Sequence, residues 1–139
     1  IVSTEYVTMA HGSPRMPTWE YLIDQMSALV NFAFFDTKLA LVGHSHLPVT
    51  FQVNPNGDSI DRSLAKPGEV YKIKTRCIFN PGSVGQPRDH DPRASYGILD
   101  PEEQTWEIHR VNYDIAATQK AIEEVGLPEK LCKRLGQGW

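Results

Sequence analysis

Two histidines, His44 and His46, stand two residues apart directly after a short apolar run, Leu39–Val42. The run is apolar on both alternating faces, which is typical of a strand buried between layers. Gly43 lacks a side chain, so a ligand or another main chain can approach the end of this strand closely. Residues i and i+2 of an extended segment project to one side, so we expect both imidazoles to face one pocket and Ser45 to face away. Neutral imidazole is the commonest protein metal ligand, and the pattern therefore predicts half of a metal site.

A third histidine, His11, also follows a predicted strand. The stretch 5–10 is rich in β-branched and aromatic residues and runs into His11 and then a tight polar turn. His90 and His109 fall in a polar loop and on a hairpin strand, and we expect both to be surface residues. The candidate ligands are therefore His11, His44 and His46.

The elements around these histidines predict an α/β fold with a mixed sheet and flanking helices. After Pro17, apolar residues recur at three- and four-residue spacing, which predicts a helix whose stripe faces the core. That stripe consists of Trp19, Leu22, Ile23, Met26, Leu29 and Val30. A strand, a helix and the strand at Leu39 form a unit of the parallel, layered kind.

The remainder of the chain predicts short, largely antiparallel strands and two helices. The predicted elements are strands at 49–53, 69–73 and 76–79, a polar loop at 60–68, a hairpin of 95–100 with 105–111, a helix from Asp114 to Gly126 and a short helix from Pro128.

The segment 80–88, with the sequence NPGSVGQPR, contains two glycines and two prolines. Its backbone is heavily specified, and loops on rigid strands are where binding groups concentrate. Arg88 and Arg93 lie in it or just past it, and a guanidinium beside a metal pocket suits a phosphate oxyanion. We therefore consider both arginines as candidate substrate-binding residues.

Composition narrows the choice of function. The chain of 139 residues carries a net charge of -3, so nucleic acid binding is not indicated, and its longest apolar stretch is too interrupted to span a membrane. Cys77 and Cys132 are far apart and form no CxxC motif, which favours two buried thiols in a cytoplasmic protein. The chain begins with Ile1, so we expect it to be part of a longer polypeptide.

The three histidine positions and the 80–88 loop together resemble the C-terminal motifs of the calcineurin-like metallophosphoesterases. The loop is similar to that of the small bacterial phosphodiesterase branch, and the resemblance extends from about Val7 to Arg93. Ser45 stands where threonine is common and keeps the hydroxyl. The resemblance implies the C-terminal half of a four-layer αββα sandwich.

The resemblance also implies a dinuclear site for two divalent transition metals, Mn, Fe, Zn or Co. His11 and His44 would bind one metal and His46 the other. The implied activity is phosphodiesterase or phosphatase hydrolysis of a small-molecule phosphoester by a metal-activated water.

The family's N-terminal motifs, which supply the bridging carboxylate and other ligands, have no counterpart before His11. We therefore expect residues 1–139 to be the C-terminal part of one domain. Its partner would be the N-terminal half of that domain, and the isolated chain would be inactive. Two alternatives are a non-catalytic protein-binding scaffold, as the same fold provides in the retromer complex, and a mononuclear zinc site built from the three histidines alone.

Overall fold

The computed structural model describes all residues, 1–139, and contains two β-sheets and three helices. The strands are β1 (Val2–Ser3), β2 (Val7–Met9), β3 (Leu39–Leu41), β4 (Pro48–Val53), β5 (Ile60–Leu64), β6 (Val70–Lys72), β7 (Cys77–Pro81), β8 (Ala94–Asp100) and β9 (Thr105–Val111). The helices are α1 (Gln25–Asn31), α2 (Ile115–Glu124) and α3 (Glu129–Gln137).

The larger sheet has the strand order β1-β2-β3-β7-β4-β5, and the smaller one has the order β6-β9-β8. Strands β2, β3 and β7 are parallel at the centre of the larger sheet, with Thr8, Ala40 and Ile78 in register. Strand β4 pairs antiparallel with both β5 and β7. Because β2 and β3 are parallel, the segments that follow them, which carry the candidate histidines, leave the same edge of the sheet.

The central strands bury both faces, as their continuous apolar sequence predicts. Ala40 and Val42 pack with Phe51 and Ile78 in a core on the side of α1. On the opposite face, Leu39 packs in the core between the two sheets. In that core the rings of Phe79 and Trp106 stack with centroids 4.9 Å apart. The α/β fold with a mixed sheet and flanking helices is thereby confirmed.

The predicted helix from Pro17 is much shorter than expected. Asp24 caps α1, its carboxylate accepting a hydrogen bond from the Ser27 N–H at 2.9 Å, so the helix begins at Gln25. Residues 12–20 instead form turns, in which the Gly12 N–H donates to the Pro17 carbonyl at 2.6 Å. Within the turns, the Ser13 hydroxyl donates to Glu20 at 2.5 Å.

The predicted core stripe of this segment is also wrong except at one position. Leu22 is fully buried. The other five stripe residues are exposed, with Trp19 at 74% and Met26 at 69%; the remaining three are Ile23, Leu29 and Val30. A large apolar surface is therefore left open along this segment.

Elsewhere the predictions agree better with the fold. The 95–100 and 105–111 hairpin is confirmed as β8 and β9, and the Asp114 carboxylate caps α2 by accepting from the Ala117 N–H at 2.9 Å. The loop prediction for 60–68 is wrong at its start, because β5 pairs with β4 from Ile60 to Leu64. Cys77 and Cys132 are free, buried thiols. None of the three helices has the length and apolar character needed to cross a bilayer.

Candidate metal centre

Main-chain hydrogen bonds continue the pairing of β2 and β3 beyond the ends of the strands. The Ala10 N–H donates to the Leu41 carbonyl at 3.0 Å, and the Gly43 N–H donates to the His11 carbonyl at 2.9 Å. A Cβ atom on Gly43 would lie 3.4 Å from that His11 oxygen. Gly43 therefore allows the close approach that the sequence predicted, and the group that approaches it is the main chain of His11.

This pairing brings two of the candidate ligands together. His11 Nε2 lies 3.0 Å from His44 Nδ1, and the two rings meet edge to face with centroids 4.9 Å apart. The Tyr21 ring covers His44 at a centroid distance of 4.2 Å. Two imidazole nitrogens from separate strand ends thus point at each other in a partly exposed position.

The backbone that carries His44 and His46 is not extended, contrary to the sequence prediction. Both residues have positive φ angles, 58° and 60°, in the left-handed region. His44 is the central residue of a tight turn, in which the Ser45 N–H donates to the Gly43 carbonyl at 2.6 Å. Non-glycine residues rarely adopt this conformation, and strain of this kind persists where surrounding contacts enforce it, often at functional sites.

Asn80, fully buried at the end of β7, supplies those contacts. Its amide Nδ2 donates to the Gly43 carbonyl at 2.6 Å and lies 2.9 Å from the Ser45 hydroxyl. Its Oδ1 accepts from the Gly82 N–H at 2.9 Å, so one side chain joins the histidine turn to the 80–88 loop. The sequence offered a weak signal for this role, an asparagine opening a loop rich in glycine and proline.

The ring of His46 is oriented by the same loop. Its Nδ1 lies 2.7 Å from the Gln86 carbonyl, and because a carbonyl only accepts, Nδ1 carries the proton. Nε2 of the neutral ring is then the nitrogen with a free lone pair, and a carbonyl behind the ring is the usual support of a ligating histidine.

Both histidines of the turn are held in the neutral form. Burial lowers the pKa of His44, and the charges of His11 and Arg88 lower it further. Burial also lowers the pKa of His46; the hydrogen bond to Gln86 opposes this, and the charges of Arg88 and the other two histidines add to the lowering. Metals bind the neutral imidazole, so this environment favours ligation near pH 7.

The two candidate arginines differ in their surroundings. Arg88 adjoins His46, whose carbonyl accepts from the Arg88 N–H at 3.3 Å, and its guanidinium has no carboxylate within 4 Å. Arg93 instead pairs with Asp91, its Nη2 lying 2.5 Å from Oδ2, and this pairing lowers the pKa of Asp91. Only Arg88 thus combines proximity to the histidines with an uncompensated charge.

Sequence reasoning missed Arg110, which holds the residues directly after the 80–88 loop. Its side chain is 2% exposed, pairs with Asp89 and donates to the Arg93 carbonyl at 3.0 Å. A buried guanidinium with these partners fixes the segment that follows Arg88. The only sequence signal was an arginine near the end of a hairpin strand.

The residues present fit part of a metal site. Ligand nitrogens about 2.1 Å from one ion and at right angles to each other are about 3 Å apart, which matches His11 Nε2 and His44 Nδ1. No three His, Cys, Asp or Glu side chains of residues 1–139 come together as a metal-binding group. The three-histidine zinc site is therefore not formed, and further ligands, in particular carboxylates, would have to come from outside these residues.

A solved structure closely resembles the whole chain. The crystal structure of a metallophosphoesterase from Sphaerobacter thermophilus superposes on the whole chain with a TM-score of 0.92 and 44% sequence identity. This match supports the predicted membership of the calcineurin-like metallophosphoesterase superfamily.

Two further proteins are similar to this chain. The uncharacterized protein MJ0912 of Methanocaldococcus jannaschii is 38% identical over 135 residues, which are 95% of the chain. The hypothetical protein PH1004 of Pyrococcus horikoshii shares the fold, with a TM-score of 0.65 and 23% identity over 96% of the chain. No protein-family model matches the sequence.

The chain spans only about half the length of these relatives. It covers 57% of the Sphaerobacter chain, 51% of MJ0912 and 46% of PH1004. The superfamily implies divalent metals, whereas the described residues supply only the partial ligand set above.

Proposed function

We propose that this chain contributes to metal-dependent hydrolysis of a small-molecule phosphoester, as a phosphodiesterase or phosphatase of the small bacterial phosphodiesterase branch. The observation that carries the proposal is the 3.0 Å approach of His11 Nε2 to His44 Nδ1 at the ends of two parallel strands. His46, with a fixed tautomer, and Arg88, with an unpaired charge, adjoin this pair. Together they offer ligand nitrogens and an oxyanion partner beyond the ends of these strands.

Each of these residues has a proposed task. His11 and His44 would hold one divalent ion and His46 a second; Mn, Fe, Zn and Co all accept such donors. The ions, when bound, would activate a water molecule and neutralise the phosphate charge. Arg88 would bind a non-bridging phosphate oxygen through its guanidinium. Arg93, engaged with Asp91, would act there only if that pair opened.

We further propose that residues 1–139 are the C-terminal part of one domain whose N-terminal half supplies the carboxylates. The length shared with the relatives supports this, as does the lack of a complete ligand group. A mostly apolar groove of about 350 Å³ also opens beside His11, lined by Met9, Leu41 and Trp106 among others. The two free, buried thiols favour a reducing compartment such as the cytoplasm.

The activity is tested with the full-length polypeptide, an aryl phosphodiester and added manganese. Replacing His11, His44 or His46 by alanine should each reduce kcat/KM by at least about 100-fold, because each removes a metal ligand. His109→Gln is the matched control, since His109 lies on β9 beside Glu107 and has no part in the site. Activity that survives the His44 or His46 replacement would refute the assigned roles.

The alternative of a non-catalytic scaffold is favoured by one observation, the absence of three clustered ligands in this chain. Elemental analysis of the full-length polypeptide separates the two proposals. The enzyme should retain close to two transition-metal ions per chain and gain thermal stability when manganese is added. A protein with no bound metal and no such stabilisation would be a scaffold.

A further inference from the structure

A second concave site adjoins the candidate metal centre on the side of α3. The cleft has a volume of about 420 Å³. Its lining includes Tyr21, Leu47 and Arg88 beside the histidine turn, and Arg134 and Trp139 from the C-terminal segment. We call it the Arg88–Arg134 cleft.

The two arginines of the cleft share one acceptor. Arg88 Nη2 donates to Gln86 Oε1 at 3.0 Å, and Arg134 Nη1 donates to the same oxygen at 3.2 Å. The two nitrogens therefore lie within roughly 6 Å of each other. A neutral amide cannot balance two positive charges, so the guanidiniums repel each other across the cleft.

Neither arginine forms an ion pair. The ion pairs of the chain include Arg15, Arg93 and Arg110, whereas no carboxylate lies within 4 Å of Arg88 or Arg134. Arg88 Nε is moreover buried without a hydrogen-bond partner. In a chain whose net charge is -3, two uncompensated guanidiniums in one cleft are a specific feature, and they suit an anion with several oxygens.

We propose that the Arg88–Arg134 cleft binds a second phosphate group that lies next to the scissile one, so that the preferred substrates are organic diphosphates or closely spaced bisphosphates. This inference rests on the proposed function, in which Arg88 binds the scissile phosphate. Arg134 then binds the neighbouring phosphate and determines specificity. The exposed rings of Tyr21 and Trp139 offer faces on which the organic part of such a substrate packs.

The test measures binding of inorganic pyrophosphate and orthophosphate to the full-length polypeptide by calorimetry, in EDTA and at physiological ionic strength. The wild type should bind pyrophosphate at least about tenfold more tightly than orthophosphate, because a second charge-assisted contact is made. Arg134→Gln should remove most of that difference and leave orthophosphate binding nearly unchanged. Equal affinity of the wild type for the two anions, or no binding of either, would overturn the inference.

The neighbouring Lys133→Gln is the matched control. It removes the same charge from the same helix, but Lys133 is exposed and pairs with Glu129 at 2.8 Å. Its pyrophosphate affinity should equal that of the wild type. If the Lys133 and Arg134 variants lost pyrophosphate affinity equally, only the overall charge of α3 would matter. That result would refute the role assigned to the cleft.

Gln86→Glu provides a second variant in case Arg134→Gln does not fold. A carboxylate in place of the shared amide would pair with both guanidiniums without a change of shape and reduce the net charge of the three groups from +2 to +1. Pyrophosphate binding should therefore weaken at least about tenfold, while the melting temperature stays the same or rises. Pyrophosphate affinity equal to that of the wild type in this variant would contradict the inference.

Experiments can refute the proposed role of the cleft and the proposed function separately. Selective pyrophosphate binding in EDTA without hydrolysis of any phosphoester would refute the function and support the cleft. In an active enzyme, Arg134→Gln should raise KM for an aryl diphosphate ester at least about tenfold and leave KM for an aryl monophosphate unchanged. An unchanged KM for both would refute only the cleft.

Discussion

Replacement of Asn80 by alanine should destabilise the fold and disorganise the candidate metal centre together. Asn80 is fully buried and makes three hydrogen bonds, to the Gly43 carbonyl, the Ser45 hydroxyl and the Gly82 N–H. Each such bond contributes about 1 kcal/mol net, and a buried group left without a partner costs about 1–3 kcal/mol. Asn80→Ala should therefore cost on the order of 3 kcal/mol, a large share of the roughly 5–15 kcal/mol typical of a domain.

The loss should be measured by urea unfolding, with Asn112→Ala as the matched control. Asn112 is exposed just after β9, so removing its amide should change the free energy of unfolding by less than about 0.5 kcal/mol. In the full-length polypeptide, Asn80→Ala should also weaken metal binding by roughly 10- to 100-fold, because the left-handed turn carrying His44 and His46 loses its support.

Asn80→Asp separates the hydrogen bonds from the loss of volume. Aspartate keeps the acceptor for the Gly82 N–H but replaces the amide donor with an oxygen facing the Gly43 carbonyl, now 2.6 Å from Nδ2. It should destabilise the fold at least as much as alanine does. A cost below about 1 kcal/mol for Asn80→Ala, or wild-type stability for Asn80→Asp, would refute this account of the turn.

Two other predictions follow from ionisation. Burial lowers the pKa values of His44 and His46, so these rings take up protons less readily in the native state than in the unfolded chain. The melting temperature in EDTA should therefore fall as the pH drops below the unfolded pKa of about 6.5, and less so in His46→Gln. Burial raises the pKa of Cys77 to about 12, so a thiol reagent at about pH 8 should label this residue only at the rate of unfolding. Mass spectrometry locates the label, and rapid labelling of Cys77 in the native chain would contradict its burial.

The strands nearest the site were predictable because their sequence pattern fits only a strand buried on both faces. Leu39–Val42 is apolar at every position, and its alternate residues fill the two cores of the structure. The β8–β9 hairpin and the Asp114 cap were equally accessible, since both depend on residues close in sequence. The approach of His11 to His44 followed from the parallel pairing of their strands.

The geometry of the turn was not predictable, because distant residues determine it. His44 and His46 take positive φ angles that neither residue favours, and the bonds that enforce them come from Asn80 and the Gln86 carbonyl. The rule that residues i and i+2 project to one side holds for an extended backbone, and it therefore does not apply to this turn. Arg134 was missed for the same reason, since only the packing of α3 brings it to Gln86.

The error at residues 17–30 has a different origin. The spacing of Trp19, Met26 and Leu29 is that of a helix face with something to bury, yet these side chains are exposed in the 139-residue chain. Apolar residues at helical spacing indicate that one face of the segment is buried. The spacing does not indicate which part of the protein covers that face. The proposal of a further half domain accounts for both this apolar surface and the missing carboxylates. In that case the incomplete core and the incomplete metal site have one cause, and a full-length polypeptide should complete both.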